Sequence, residues 1–271
     1  LALLLRALAR AREGAAARRP QRLARRHRGA AGPRRLPAAD PALSAGLRGL
    51  HGARGGRARG GGSIVSIAPS LEGRPDLQLI ADMVRPGARV LDLGCGTGDL
   101  LAWLAAHKDV TGYGLEIDPD NITTCIARGV NVIEQDIDED LSAFESGGFD
   151  AVVMTETLQA IRRPDRVLEE MLRIAPRAIV TFPNFGHWRI RVQLATHGRM
   201  PVNTHLPYSW YDTPNIHLCT FRDFEALCAA RAITITHRHV VDQHYRSAPL
   251  LDALPNLFGT IAIYGLGREH P

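Results

Sequence analysis

The chain has 271 residues, 45% of them apolar and 23% charged, with a formal charge of +5 and a pI near 9.4, which suits one or two soluble domains. No run approaches the roughly eighteen uninterrupted apolar residues of a membrane-spanning helix, so no membrane association is expected. Cys95, Cys125, Cys219 and Cys228 stand at spacings of 30, 94 and 9, neither a disulfide framework nor a zinc signature, and a cytoplasmic setting with no metal follows as the expectation.

The positive charge is local. Residues 1–63 hold 15 Arg against Glu13 and Asp40, a charge of +13, while residues 64–271 hold 18 basic and 26 acidic groups, a charge of −8. This leader of Ala, Arg, Gly, Pro and Leu has no aromatic residue, and too little apolar area to offset the entropy of ordering it. Three readings fit it. A chain opening on Leu1 with 32 Arg against the single Lys108 favours GC-rich coding sequence read through from an upstream start, with Val65 as one true start. A transit peptide would be richer in serine than Ser44 and Ser63 make it. A basic arm for RNA rests on pieces such as Arg54-Gly55-Gly56-Arg57; the acidic remainder calls for no nucleic acid.

From Asp76 the pattern alternates. Leu77, Ile80, Ala81 and Val84 follow helical spacing. Residues 89–93 form a strand, 99–107 a helix, 110–117 a strand, and 119–128 a helix with proline in its first turn. Strands at 130–134 and 151–154 precede a helix at 164–174, striped by Val167, Leu168, Met171 and Leu172. A strand at 177–182 follows. Residues 184–215, rich in aromatics, His and Pro, break the pattern as an insertion. A helix at 221–230 capped by Thr220 and strands at 233–241 and 260–266 complete the chain. Such alternation predicts an α/β domain over 64–271, a parallel sheet covered by helices on both faces.

The strongest chemical signal is Val90-Leu91-Asp92-Leu93-Gly94-Cys95-Gly96-Thr97-Gly98, a buried strand entering a tight glycine turn and then a helix. Its glycines miss the Gly-x-Gly-x-x-Gly spacing of a dinucleotide fingerprint, and Asp99 would repel a pyrophosphate at the helix start. The run resembles instead the first motif of class I S-adenosylmethionine-dependent methyltransferases. That resemblance implies a Rossmann-like fold with a seven-stranded, mostly parallel sheet, and a glycine loop (Asp92, Gly94, Cys95, Gly96, Gly98) beside the amino-acid end of S-adenosylmethionine. It further implies that Glu116, at the end of the next strand, takes both ribose hydroxyls. Asp136 would stand near the adenine amino group, with Ile117 and Ile137 as apolar faces about the base.

Many small-molecule methyltransferases of this class carry an acid–His pair after the fourth strand; here those places fall on Gln159 and Ala160. The insertion and the residues just after it supply the catalytic candidates, His187, Tyr211 and His217. The same segment also reads as an aromatic lid packed on the sheet, or as a partner surface, its aromatics interleaved with Arg189, Arg191 and Arg199.

A closer resemblance, to the methionine biosynthesis protein MetW family, rests on several segments: Arg74-Pro75-Asp76-Leu77, residues 90–98, Tyr113 to Pro119, Leu158 to Pro164, Phe182 to Trp188, Trp210 to His217 and Leu254 to Gly259. It spans about residues 74–267. It implies a protein that binds S-adenosylmethionine or S-adenosylhomocysteine and works with the homoserine O-acyltransferase MetX, an α/β-hydrolase. The alternative is an active methyltransferase on a small hydroxyl or carboxyl compound; Gln159 and Ala160 lean toward the partner role. Since S-adenosylmethionine lies downstream of methionine, its binding could report end-product level.

Overall fold

In a computed structural model the structure describes residues 69–203 and 206–268; the leader, with its three readings, lies outside the described residues. Seven strands, β1 (Arg89–Leu93), β2 (Thr111–Glu116), β3 (Val132–Glu134), β4 (Ala151–Thr155), β5 (Arg177–Pro183), β6 (Thr234–Val241) and β7 (Ile261–Gly267), form one sheet in the order β3-β2-β1-β4-β5-β7-β6. β1 to β5 pair in parallel, and β7 runs antiparallel to both β5 and β6. This is the seven-stranded, mostly parallel sheet expected from the sequence.

Helices cover both faces, so alternate residues of one strand enter different cores. In β1, Leu91 and Leu93 pack with Leu168, Met171 and Phe182, on the side of α4 (Pro164–Ile174) and α6 (Phe221–Ala230). Val90 faces the other way, with Ile80 of α1 (Pro75–Met83) and Leu100, Leu101 and Leu104 of α2 (Asp99–Lys108). The stripe Val167, Leu168, Met171 and Leu172 is buried as its spacing required. α3 (Pro119–Ala127) starts where Asp118 Oδ1 accepts the N–H groups of Asp120 and Asn121 at 2.8 and 3.3 Å, with Pro119 in the first turn. α6 starts with a capping box between Thr220 and Asp223.

The insertion is more regular than its composition implied. Trp188–His197 is a helix, α5, burying only Ile190. It is latched to the C-terminal part: Asn184 Nδ2 donates to the Gly259 carbonyl at 2.7 Å, and Asn184 Oδ1 accepts the Gly186 N–H at 2.9 Å. The loop before β7 carries two short helices, α7 (Pro249–Ala253) and α8 (Pro255–Phe258).

From β1 the chain steps outward to β2 and β3, then returns across β1 to β4. That reversal leaves a crevice at the carboxyl ends of β1 and β4, where open α/β sheets bind their ligands.

Candidate functional site

Leaving β1, the chain turns through Gly94, Gly96 and Gly98 at φ 77°, 54° and 75°, left-handed angles that penalise a Cβ. Their surroundings differ. A Cβ on Gly94 would lie 2.6 Å from Thr157 Oγ1 and one on Gly98 2.9 Å from Cys125 Sγ, whereas one on Gly96 would meet nothing within 4 Å. Gly96 therefore borders open space, and a ligand there would lie against bare backbone.

Glu116 closes β2 and is buried. Its Oε2 accepts the Gly96 N–H at 2.8 Å, and its Oε1 accepts those of Ile117 and Asp118 at 2.8 and 3.0 Å. A carboxylate has about four acceptor directions, so one stays open and a second ligand hydroxyl would compete with the Gly96 N–H. Just beyond, Ile117 is 61% exposed, an apolar side chain left for something to cover. β3 follows in register, Glu134 against Glu116. Past its end, Asp136 Oδ1 accepts the Asp138 N–H at 2.9 Å, and Ile137 is partly buried against the core. The structure thus brings Asp92, the glycine loop and Glu116 together, with Asp136 and Ile137 one strand further along the same edge.

Asp92 points to the same face of β1 as Val90. It is 3% exposed, and its Oδ1 has no hydrogen-bond partner among the described residues. Burial, and then the neighbouring Glu116 charge, push its carboxyl up to about 7. Thr155 Oγ1, at the end of β4, is likewise enclosed without a partner. Such orphaned polar atoms are uncommon in folded interiors and call for an explanation.

Asp99 is compensated: Arg128 Nη1 reaches its Oδ1 at 2.6 Å and donates to the Thr97 carbonyl at 2.7 Å. Cys95 and Cys125 stand with sulfurs 3.9 Å apart, both thiols pushed up chiefly by burial.

Residues that the sequence reading gave no chemical role stand on the far side of β1 from Glu116. Arg74 grips the buried Asp76 through Nε (3.1 Å to Oδ1) and Nη2 (2.7 Å to Oδ2) at the start of α1. Glu156, immediately after β4, has φ 49°, and Tyr245 has φ 58°, a conformation that costs a non-glycine residue on the order of 1–3 kcal/mol and gathers at functional sites. Tyr245 packs against the small cluster of Val241, Ile261 and Ile263, as do Leu79 and Met83 of α1. Although Glu156 is open to water on one side, enclosure by the protein and then Asp76 raise its carboxyl, with Arg74 opposing. Burial, Glu156 and Asp76 raise the Tyr245 phenol, again against Arg74. The available signals were positional: an Arg-Pro-Asp opening a helix, and an acid at the carboxyl end of a central strand.

The proposed catalytic residues are dispersed. His187 caps α5, its Nδ1 accepting the Arg189 N–H at 3.3 Å, and lines a cavity of about 160 Å³ with Asn184, Arg189, Ile190 and Thr260. Tyr211 is 75% exposed, edge-on to Trp210. His217 is exposed, its Nε2 3.4 Å from the Arg162 carbonyl. No hydrogen bond among the described residues joins Tyr211 or His217 to the glycine loop. Gln159, where an acid was sought, donates from Nε2 to the Glu156 carbonyl at 2.7 Å, and its own carbonyl accepts the N–H groups of Ile216 and His217, both at 2.9 Å. Among the described residues no cluster of three or more His, Cys, Asp or Glu is placed to hold a metal ion, and no helix is long and apolar enough to cross a membrane.

Comparison with known proteins identifies a family and a fold. The family model described as methionine biosynthesis protein MetW matches residues 74–266. A bifunctional methionine biosynthesis protein MetXA/MetW from Rhodopirellula baltica is 34% identical over 206 residues, covering 72% of this chain and 33% of the relative. The chain spans about a third of the length of the curated relatives it matches. Among solved structures, an S-adenosylmethionine-dependent methyltransferase from Mesorhizobium loti matches with TM-score 0.53 and 15% identity over 73% of this chain and all of that one. Magnesium protoporphyrin IX methyltransferase from Synechocystis, solved with bound S-adenosylhomocysteine, matches with TM-score 0.50 and 15% identity over 78% and 90%. These likenesses give a class I methyltransferase fold.

Proposed function

The chain belongs to the methionine biosynthesis protein MetW family, and from that premise we propose that it binds S-adenosylmethionine or S-adenosylhomocysteine and acts beside a homoserine O-acyltransferase of the MetX kind. The binding residues in this reading are Asp92, Gly94, Cys95, Gly96, Gly98, Glu116, Ile117, Asp136 and Ile137. The open space at Gly96, the orphaned Asp92 Oδ1 and the uncovered Ile117 support it. Glu116 receives the ribose hydroxyls on its open acceptor direction and on Oε2, where a hydroxyl replaces the Gly96 N–H. When bound, S-adenosylmethionine supplies an electrophilic methyl group on sulfur. The chain's own part is to bind and orient, since Gln159 and Ala160 stand where related enzymes carry proton-transfer groups.

The observation carrying the partner is the Rhodopirellula baltica relative, named as one bifunctional MetXA/MetW protein. Joining both in one polypeptide speaks for action at close range. The direct test is co-purification: tagged chain expressed with the acyltransferase should retain it through size-exclusion chromatography. Separate elution of the two, with an acyltransferase rate unchanged by the added chain, would remove the reading. For ligand and partner to be coupled, the free and complexed forms must bind the ligand with different affinity. Transfer of a labelled methyl group to a small molecule in cell extract would point instead to an active methyltransferase.

A further inference from the structure

The charges around the glycine loop do not balance. Arg74 acts on Glu156 and Arg128 on Cys125, and each cation is already held by a carboxylate: Arg74 by Asp76, Arg128 by Asp99. Asp92, Glu116 and Glu156 form no ion pair among the described residues, although each is satisfied differently. Glu116 takes three backbone N–H groups, Asp92 keeps an enclosed oxygen with no hydrogen-bond partner among the described residues, and Glu156 is held after β4 in left-handed backbone. The three sit at the ends of adjacent strands in the order β2-β1-β4. Neighbouring strands are about 4.8 Å apart, so they stretch roughly 10 Å along the crevice.

We propose that this arrangement selects the cationic sulfonium ligand, S-adenosylmethionine, over its neutral demethylated product, with Asp92 and Glu156 as the residues that set the preference. The inference rests on the binding reading above and adds its direction. S-adenosylmethionine carries a sulfonium, an ammonium and a carboxylate, a net charge of +1; S-adenosylhomocysteine lacks the sulfonium charge and is neutral overall. Adenine, ribose and the amino-acid ammonium and carboxylate are common to both, so contacts to those groups cannot separate them. Only a group that senses charge near the sulfur can do so: the enclosed Asp92 carboxylate, with no ion pair among the described residues, senses it strongly, and Glu156, open to water on one side, more weakly. The raised carboxyls fit this: no cation offsets burial at Asp92, and at Glu156 Arg74 only partly offsets enclosure and the Asp76 charge. A chain with this preference reads the supply of the methylated compound, not the product of its use.

Calorimetry on the full chain at pH 8 tests this with three ligands: S-adenosylmethionine, S-adenosylhomocysteine and sinefungin, whose amine restores the positive charge without a sulfur. S-adenosylmethionine and sinefungin should bind at least tenfold tighter than S-adenosylhomocysteine, about 1.4 kcal/mol. Asp92→Asn and Glu156→Gln should each shrink that ratio at least threefold, through weaker binding of the two cationic ligands. Glu156 is open to solvent, so its variant tests the preference without disturbing the enclosed core around Asp92. Equal or tighter binding of S-adenosylhomocysteine, or a ratio that neither variant alters, overturns the proposal alone. Failure of all three ligands to bind overturns it together with the binding reading.

Discussion

Asp92 shows most plainly what the site costs. Its carboxyl sits at about 7 when folded against an ordinary 3.8, so the folded chain holds that proton more tightly than the unfolded one. The stability this gives is fully present below about pH 4 and is lost as pH rises toward 7, to a limit on the order of 4 kcal/mol. Asp92→Asn should therefore melt above wild type at pH 8, and thermal scans across pH should show the gap closing by pH 4. A gap that does not change with pH would show that burial of the charge is not what destabilises the site. Glu116→Ala should weaken S-adenosylmethionine at least tenfold, about 1.4 kcal/mol, and unchanged affinity by calorimetry would reject its ribose role. The three glycines should separate under substitution by alanine. Gly96→Ala meets no neighbour and should cost only the left-handed strain, about 1–2 kcal/mol, with a disproportionate loss of ligand affinity. Gly94→Ala and Gly98→Ala meet Thr157 and Cys125 and should lose more stability in urea titrations.

Among the elements, those with strong periodicity were legible before any coordinates. Val167, Leu168, Met171 and Leu172 announced α4, and the apolar runs of β1 and β4 announced strands covered on both sides. α5 was not legible, because it buries one residue and carries Arg189 and Arg191 among its apolar positions; it is fixed by tertiary contact rather than by pattern. Pro249 and Pro255 each open a short helix, a place where the missing N–H costs nothing. The site divides similarly. The glycine turn and Glu116 follow consecutive strands of the sequence, whereas Arg74, Glu156 and Tyr245 converge from distant positions, and left-handed backbone at 156 and 245 has no signature in residue type. The Asn184 latch deserves a direct probe. Asn184→Ala leaves the Gly259 carbonyl and the Gly186 N–H without partners, a cost of about 1–3 kcal/mol. Hydrogen exchange should then accelerate in α5 before it does in β1, and uniform exchange would deny the latch its local role.

Across the whole molecule, the formal +5 conceals two opposite parts, +13 over residues 1–63 and −8 over the rest. Residues 64–271 alone should bind S-adenosylmethionine with the affinity of the full chain, and a loss in calorimetry would give the leader a part in binding. The acidic part also contains the crevice whose carboxylates lack cations, so its overall charge draws a cationic ligand rather than repelling it. One small contact ties that crevice to the aromatic segment: the Gln159 carbonyl holds the N–H groups of Ile216 and His217, while the Gln159 side chain holds the carbonyl of Glu156. Six residues upstream of Ile216 stands Trp210, three-quarters exposed. A chain with only three tryptophans therefore carries its own optical probe, and filling the crevice beside Glu156 should alter indole emission without any attached dye.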